Sequence, residues 1–202
     1  SALSFDATVG IGLAVADAPA LNLFSGGAEA TIEALVKTTA TDFSYLVSKQ
    51  DWGTSGYWYL RMQPNGQLFF ESVDTLYPDA GNTVVSAHGL TAINDGQWHH
   101  VAAVIDTDTS TGSASISLYV DYEIDTAGVA GSPTGLGNLD NVGNLYIGTR
   151  ADGGQLLTGD IDCVRISDTP LAPSEMIAYT DPGPVEPNVY RHVGLADPTT
   201  EG

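Results

Sequence analysis

The chain has 202 residues, 43% of them hydrophobic, which suits one broad domain with a real core, and it holds no apolar run long enough to span a bilayer. Six Lys and Arg face 25 Asp and Glu, a net charge of −19; such a surface repels nucleic acid and anionic lipid, and favours neutral or cation-bridged ligands over acidic polysaccharides. The single Cys163 excludes an intrachain disulfide framework and reads as a small buried hydrophobe.

Strand signals dominate in chain order. Ala2 to Asp6 opens with alternation, and Ala30 to Val36 is a period-two run around Ile32. Ser44 to Lys49 follows. Gly56 to Met62 then turns through Pro64-Asn65-Gly66 into Gln67 to Glu71, and Asn-Gly between two such runs marks a hairpin. Asn94-Asp95-Gly96 is a turn into Trp98 to Asp106, and a polar loop from Thr107 to Gly112 returns the chain into Ser115 to Val120. Gly128 to Asn144 is rich in Gly, Pro and Asn and reads as a long surface connection. Leu145 to Gly148 and Thr158 to Ser167 supply two more strands, and Pro173 to Tyr179 is the one good helix candidate. Many short strands separated by turn residues argue for an all-β sandwich and against alternating β and α units. From Asp181 the prolines multiply and the apolar pattern fades, so residues 181–202 are expected to be a Pro-rich linker or tail behind a domain at 1–180.

Several of these stretches together resemble a known family. Asp95-Gly96-Gln97-Trp98-His99-His100-Val101-Ala102, Leu118-Tyr119-Val120-Asp121, Leu145-Tyr146-Ile147-Gly148, Gly159-Asp160-Ile161-Asp162-Cys163-Val164-Arg165-Ile166 and Leu171 to Ile177 follow, in order, the pattern of laminin-G-like domains of the concanavalin A-like superfamily. The resemblance runs over residues 2–179. It implies a two-sheet antiparallel jelly-roll sandwich with one short C-terminal helix, and an extracellular setting, secreted or at a cell surface, beside other domains of a longer chain. The chain departs from the pattern at Ala7 and Tyr122, turn positions where the family has Gly, and at Cys163, where an acid is common. The resemblance also implies a structural calcium. Asp162 is the first choice of ligand, Asp160 lies on its strand face, and Asp6 approaches the last strand if the two pair; Asp152 is a loop alternative.

The motif residues carry fold more than chemistry. Trp98, His100, Ala102 and Val104 share one strand face and His99, Val101, Ala103 and Ile105 the other. Both faces hold apolar groups, so the strand is expected to be central, Trp98 to lie in the core, and the histidines to be hydrogen-bonded structural residues.

No complete catalytic motif is present. Glu123 and Asp125 share a strand face in alternation, but Gly128 stands where a second Glu would be needed, and glycoside hydrolysis takes two carboxylates. A binding module is therefore favoured over an enzyme. Glycan recognition needs aromatic faces beside polar groups, and the candidates are Trp52 in a Gly/Ser loop, Tyr57 and Tyr59 on the strand face opposite Trp58, and Tyr77 in a second loop. The expected partner is a glycan or glycoprotein, neutral or calcium-bridged. A purely adhesive domain and a glycan-active enzyme on the same fold are the alternatives.

Overall fold

A computed structural model describes residues 2–8, 12–21, 29–50, 56–73, 84–108, 113–132 and 141–177. The strands are β1 (Leu3–Phe5), β2 (Leu13–Val15), β3 (Ala30–Thr38), β4 (Ser44–Gln50), β5 (Tyr57–Met62), β6 (Gln67–Val73), β7 (Val84–Ala92), β8 (Trp98–Asp108), β9 (Ser113–Val120), β10 (Glu123–Ile124), β11 (Thr126–Ala130), β12 (Leu145–Ile147) and β13 (Gly159–Ser167). They build two antiparallel sheets, a six-stranded one in the order β1-β13-β3-β8-β9-β10 and a seven-stranded one in the order β11-β7-β6-β5-β4-β12-β2. This is the jelly-roll sandwich that the strand pattern and the resemblance imply.

The core lies between the sheets. Ile32, Ala34, Val101, Ala103, Ile105, Ile116 and Leu118 come from the first; Leu46, Trp58, Leu60, Met62, Leu68, Phe70, Val85 and Leu145 come from the second. Burying each of the larger side chains is worth roughly 1.5–3 kcal/mol, and facing alternation on both sheets brings them together. The Asn65-Gly66 hairpin joins β5 to β6. Gly66 has φ +82°, a left-handed conformation that only glycine adopts at no steric cost, and Asn65 Oδ1 accepts the Gln67 amide N–H at 3.2 Å.

The structure departs from the sequence reading in several places. Trp98 is half-buried and lies outside the core cluster. Its strand face, with Ala102 and Val104, points away from the partner sheet and is covered instead by Met176 and Leu171. The helix candidate condenses to one 3₁₀ turn, Pro173–Glu175, and residues 178–202, with the expected linker, lie outside the described residues. The supposed long connection begins as β11, through Ala130. β7 is a nine-residue strand that alternation alone did not mark. Its Gly89 explains why: a Cβ there would sit 2.5 Å from the Asp125 carboxylate, which reaches back to take the N–H groups of Leu90 and Thr91 at 3.0 and 2.9 Å. Asp125 is the point where the chain leaves the six-stranded sheet as β10 and enters the seven-stranded one as β11. Glu123 and Asp125 therefore do not share a strand face, which removes that pair as a catalytic dyad.

Cys163 is half-buried, not sealed in the core. It sits at a bulge in the β13–β3 ladder between Asp162 and Arg165, with φ +52°. The extra residue re-aims Arg165, whose Nε then donates to Glu33 at 2.5 Å.

Candidate functional site

The outward face of the seven-stranded sheet is unlike the rest of the molecule. The strands of the six-stranded sheet carry Glu33, Asp106, Asp108, Glu123, Asp160 and Asp162; those of the seven-stranded sheet carry Glu71 alone among carboxylates. In so acidic a chain, these strands offer a polar ligand less fixed negative charge than those of the six-stranded sheet.

Strand register arranges that face in three rows. Tyr45, Arg61, Phe69 and His88 form the first, Ser48, Tyr59, Glu71 and Ser86 the second, and Gln50, Tyr57, Val73 and Val84 the third. Trp58 points the other way, into the core. The first two rows pack as a small cluster of their own, with Tyr45–Tyr59 ring centroids 4.8 Å apart and Tyr59–Phe69 at 6.1 Å. Arg61 lies across it, its Cζ 4.6 Å from the Phe43 ring centroid, 4.7 Å from that of Phe69 and 5.2 Å from that of Tyr59. Such stacking on aromatic faces stabilises a guanidinium by about 0.5–2 kcal/mol. Arg61 makes no ion pair among the described residues, and its Nε is buried without a hydrogen-bond acceptor.

Glu71 is the polar centre. Its Oε1 accepts from the Tyr59 hydroxyl at 2.8 Å and from the Tyr57 hydroxyl at 3.2 Å. Burial above all, and then the charge of Glu71, push the Tyr59 phenol far above the ordinary tyrosine range, so it stays a neutral donor. Tyr57 is stacked on Tyr59 at 6.0 Å, with ring planes within 8°, and is the half-exposed member of the pair. Gln50 stands opposite Tyr57 in the ladder. It is 3% exposed, and neither its Nε2 nor its Oε1 has a hydrogen-bond partner. An amide left in that state costs about 1–3 kcal/mol per group, which a polar ligand group delivered there would recover.

The predicted glycan residues divide accordingly. Tyr57 and Tyr59 do share the outward face, but Tyr59 is buried and gives its hydroxyl to Glu71, while the Tyr57 ring is half-exposed. Trp52 and Tyr77 lie outside the described residues. Sequence reasoning missed Gln50, Arg61 and Glu71, which become neighbours only through the β4–β5–β6 register.

The predicted calcium ligands follow a different course. β1 does pair with β13, Ser4 opposite Asp160, as the resemblance implies. Asp160 Oδ1 accepts from the Ser4 hydroxyl at 2.5 Å, Asp162 Oδ1 from the Cys163 amide at 2.8 Å, and Asp6 Oδ1 from the Thr8 amide and hydroxyl at 2.8 and 2.6 Å. The Thr8 hydroxyl and amide hold the Asp6 carboxyl below the usual carboxylate range. Asp152 is taken up by Arg150, whose Nε donates to it at 2.8 Å. Among the described residues no three His, Cys, Asp or Glu side chains gather as a metal centre.

The two motif histidines are structural, as expected. His100 Nε2 is 2.8 Å from Glu33 Oε2 inside the molecule. His99 bridges Asp121 and Asp95 at 2.8 and 3.1 Å.

Comparisons with known proteins agree with this fold. A laminin G family model of the concanavalin A-like lectin/glucanases superfamily matches residues 12–177, and the chain belongs to that family. No curated protein matches the sequence. Among solved structures, the CBM40 of the Ruminococcus gnavus IT-sialidase bound to α2,3 sialyllactose is similar with a TM-score of 0.59 at 15% identity, over 87% of this chain and 92% of that one. Domains LG4-5 of the mouse laminin alpha1 chain give 0.52 at 17% identity, over 84% and 42%. Domain 4 of AbnA, a GH43 extracellular arabinanase from Geobacillus stearothermophilus in complex with arabinotriose, gives 0.51 at 17%, over 81% and 69%. At these identities the likeness is one of fold. No helix among the described residues is long and apolar enough to cross a membrane.

Proposed function

We propose that this chain is a non-catalytic glycan-binding module of an extracellular protein, and that its ligand lies on the outward face of the seven-stranded sheet, over Gln50, Tyr57, Arg61 and Glu71. The observation that carries this is the unspent polar capacity collected there: among the described residues, a buried amide without a hydrogen-bond partner and a guanidinium without an ion pair, beside the one carboxylate on the strands of that sheet. Sugars offer many hydroxyls and an apolar ring face. Glu71 and Gln50 suit the hydroxyls, Tyr57 suits the ring face, and Arg61 suits a ring oxygen or an acidic substituent. That glycan-bound domains share the fold supports the reading.

Glu71 stands alone among the carboxylates of the described residues on that sheet's strands, whereas glycoside hydrolysis uses a pair about 5–9.5 Å apart. This favours binding over turnover.

The test is a screen of immobilised neutral and acidic glycans, run with calcium and again with chelator, on the wild type and on Tyr57→Ala, Glu71→Gln and Gln50→Ala. Binding lost at least tenfold in these variants, with Asp152→Asn unaffected, is the expected result. A glycan bound equally well by all of them would move the site elsewhere, and no binding to any glycan would leave an adhesive domain as the better reading.

A further inference from the structure

The most deeply buried lysine or arginine among the described residues is one that no motif flagged. Lys49, on β4, is 1% exposed. Its stem runs inward between Trp58 on β5 and Leu145 on β12, its neighbours in the two ladders. At the sheet's end its ammonium meets four oxygens: Asp17 Oδ1 at 2.8 Å, the Gly143 carbonyl at 2.9 Å, Asn141 Oδ1 at 3.3 Å and, closest, the Asn141 carbonyl. The oxygens come from the segment after β2 and the turn before β12. β4, β12 and β2 are adjacent strands, so the one ammonium ties the ends of all three.

The composition of this cage is informative. One carboxylate, one side-chain amide oxygen and two main-chain carbonyls form the hard-oxygen mixture that divalent cations take from proteins, and an ammonium needs only three acceptors. The turn is built to present them, since Asn141 Oδ1 also fixes the Gly143 N–H at 3.0 Å. Meanwhile the acids expected to hold calcium are each engaged locally and do not gather among the described residues. We propose that Lys49 is the resident cation of this end of the domain: its ammonium occupies an oxygen cage that would otherwise take a metal ion, so that β2, β4 and β12 are held without one. Cutting the side chain back exposes a cation site with Asp17, Asn141 and Gly143 as ligands, the remaining coordination coming from water.

This does not depend on the glycan-binding reading, and its test measures no glycan. Thermal unfolding is recorded for the wild type, Lys49→Ala, Lys49→Met and Lys49→Ala/Asp17→Asn, each in chelator and in millimolar calcium. Lys49→Ala is expected to lose roughly 10 °C in chelator, as for a broken buried ion pair, and to regain at least half of that in calcium. Titration calorimetry is expected to show one more calcium per chain for Lys49→Ala than for the wild type. Lys49→Met fills the cage with an uncharged side chain and is expected to regain nothing beyond the wild type's own response, as is the double variant, which lacks the carboxylate. A Lys49→Ala chain that gains nothing from calcium, whether folded or not, overturns the proposal. So does equal recovery in the double variant. Asp17→Asn in the otherwise intact chain checks the ammonium's role directly: unchanged stability there would also overturn it.

Discussion

The imidazole of His100 lies flat against the phenol ring of Tyr122, with ring centroids 4.4 Å apart and planes within 11°. Tyr122 is the second residue of the tight β9–β10 turn, between Val120 and Glu123, and both turn residues are left-handed, Asp121 at φ +50° and Tyr122 at +69°. Glycine would sit there at no cost. The tyrosine carries strain of roughly 1–2 kcal/mol because its ring covers His100 and its hydroxyl donates to the Ile177 carbonyl at 2.8 Å.

Tyr122→Phe should therefore lose about 1 kcal/mol, the worth of one hydrogen bond. Tyr122→Gly should also be destabilised by about 1 kcal/mol, because ring burial and the hydroxyl together outweigh the relief of strain. Urea unfolding measures both. A glycine variant more stable than the wild type would mean the ring contributes nothing.

Glu33 holds the C-terminal segment against the six-stranded sheet. It is fully buried and accepts from His100 Nε2 at 2.8 Å, Arg165 Nε at 2.5 Å and the Ile177 amide at 2.8 Å. Burial alone would raise its pKa, but these donors outweigh it and hold the carboxyl below the usual glutamate range. A carboxyl depressed in the folded state stabilises fully above its unfolded value, near 4.5, and loses that contribution as pH falls through the folded value. Glu33→Gln should cost about 3–5 kcal/mol at neutral pH. It should also flatten the fall in melting temperature as pH drops below about 4.5. An unchanged acid limb would exclude Glu33 as its source.

His99 has the opposite sign. Burial lowers its pKa, but hydrogen bonds to Asp121 and Asp95 outweigh this and raise it. Its contribution is fully present below its unfolded value, near 6.5, and disappears as pH rises through the higher folded value. Imidazole NMR titration should place the His99 midpoint above that of a free histidine, and Asp121→Asn should bring it down while keeping an oxygen for the His100 amide. A midpoint indifferent to that substitution would count against the pairing.

The Cys163 thiol is pushed up by burial first, then by neighbouring Asp162. Alkylation by iodoacetamide near pH 8 should run about tenfold or more slower in the folded than in the unfolded chain. Because the residue is left-handed at φ +52°, Cys163→Gly should be tolerated, within about 1 kcal/mol of the wild type in either direction. Rapid labelling of the native protein would show the thiol to be more open than its burial implies.

Much of the architecture was legible in the sequence because it rests on local patterns. The runs at Ala30 to Val36, Gly56 to Met62 and Trp98 to Asp106 alternate, the Asn65-Gly66 turn dictates its hairpin, and the ordered family motifs point to a two-sheet sandwich. β7 was hidden because Gly89 breaks its pattern to admit the Asp125 carboxylate from the junction of β10 and β11, far along the chain. Trp98 was misplaced because both faces of β8 are apolar, one against the partner sheet and one under Met176, and alternation cannot rank two covered faces.

The site was legible only in part. Tyr57 and Tyr59 could be assigned to one face from their spacing. That Tyr59 spends its hydroxyl on Glu71, that Gln50 faces Tyr57 without a partner, and that Arg61 lies across rings from β4 and β6 are facts of register between strands. Lys49 is the extreme case: in the sequence it is one polar residue at the end of a strand, and only folding gathers Asp17, Asn141 and Gly143 around it. Periodicity and turn chemistry, both of which act over a few residues, were enough to set the class of fold. Which charges are buried and which are paired was settled by tertiary contacts, because those depend on groups far apart in the chain and on the loss of water between them.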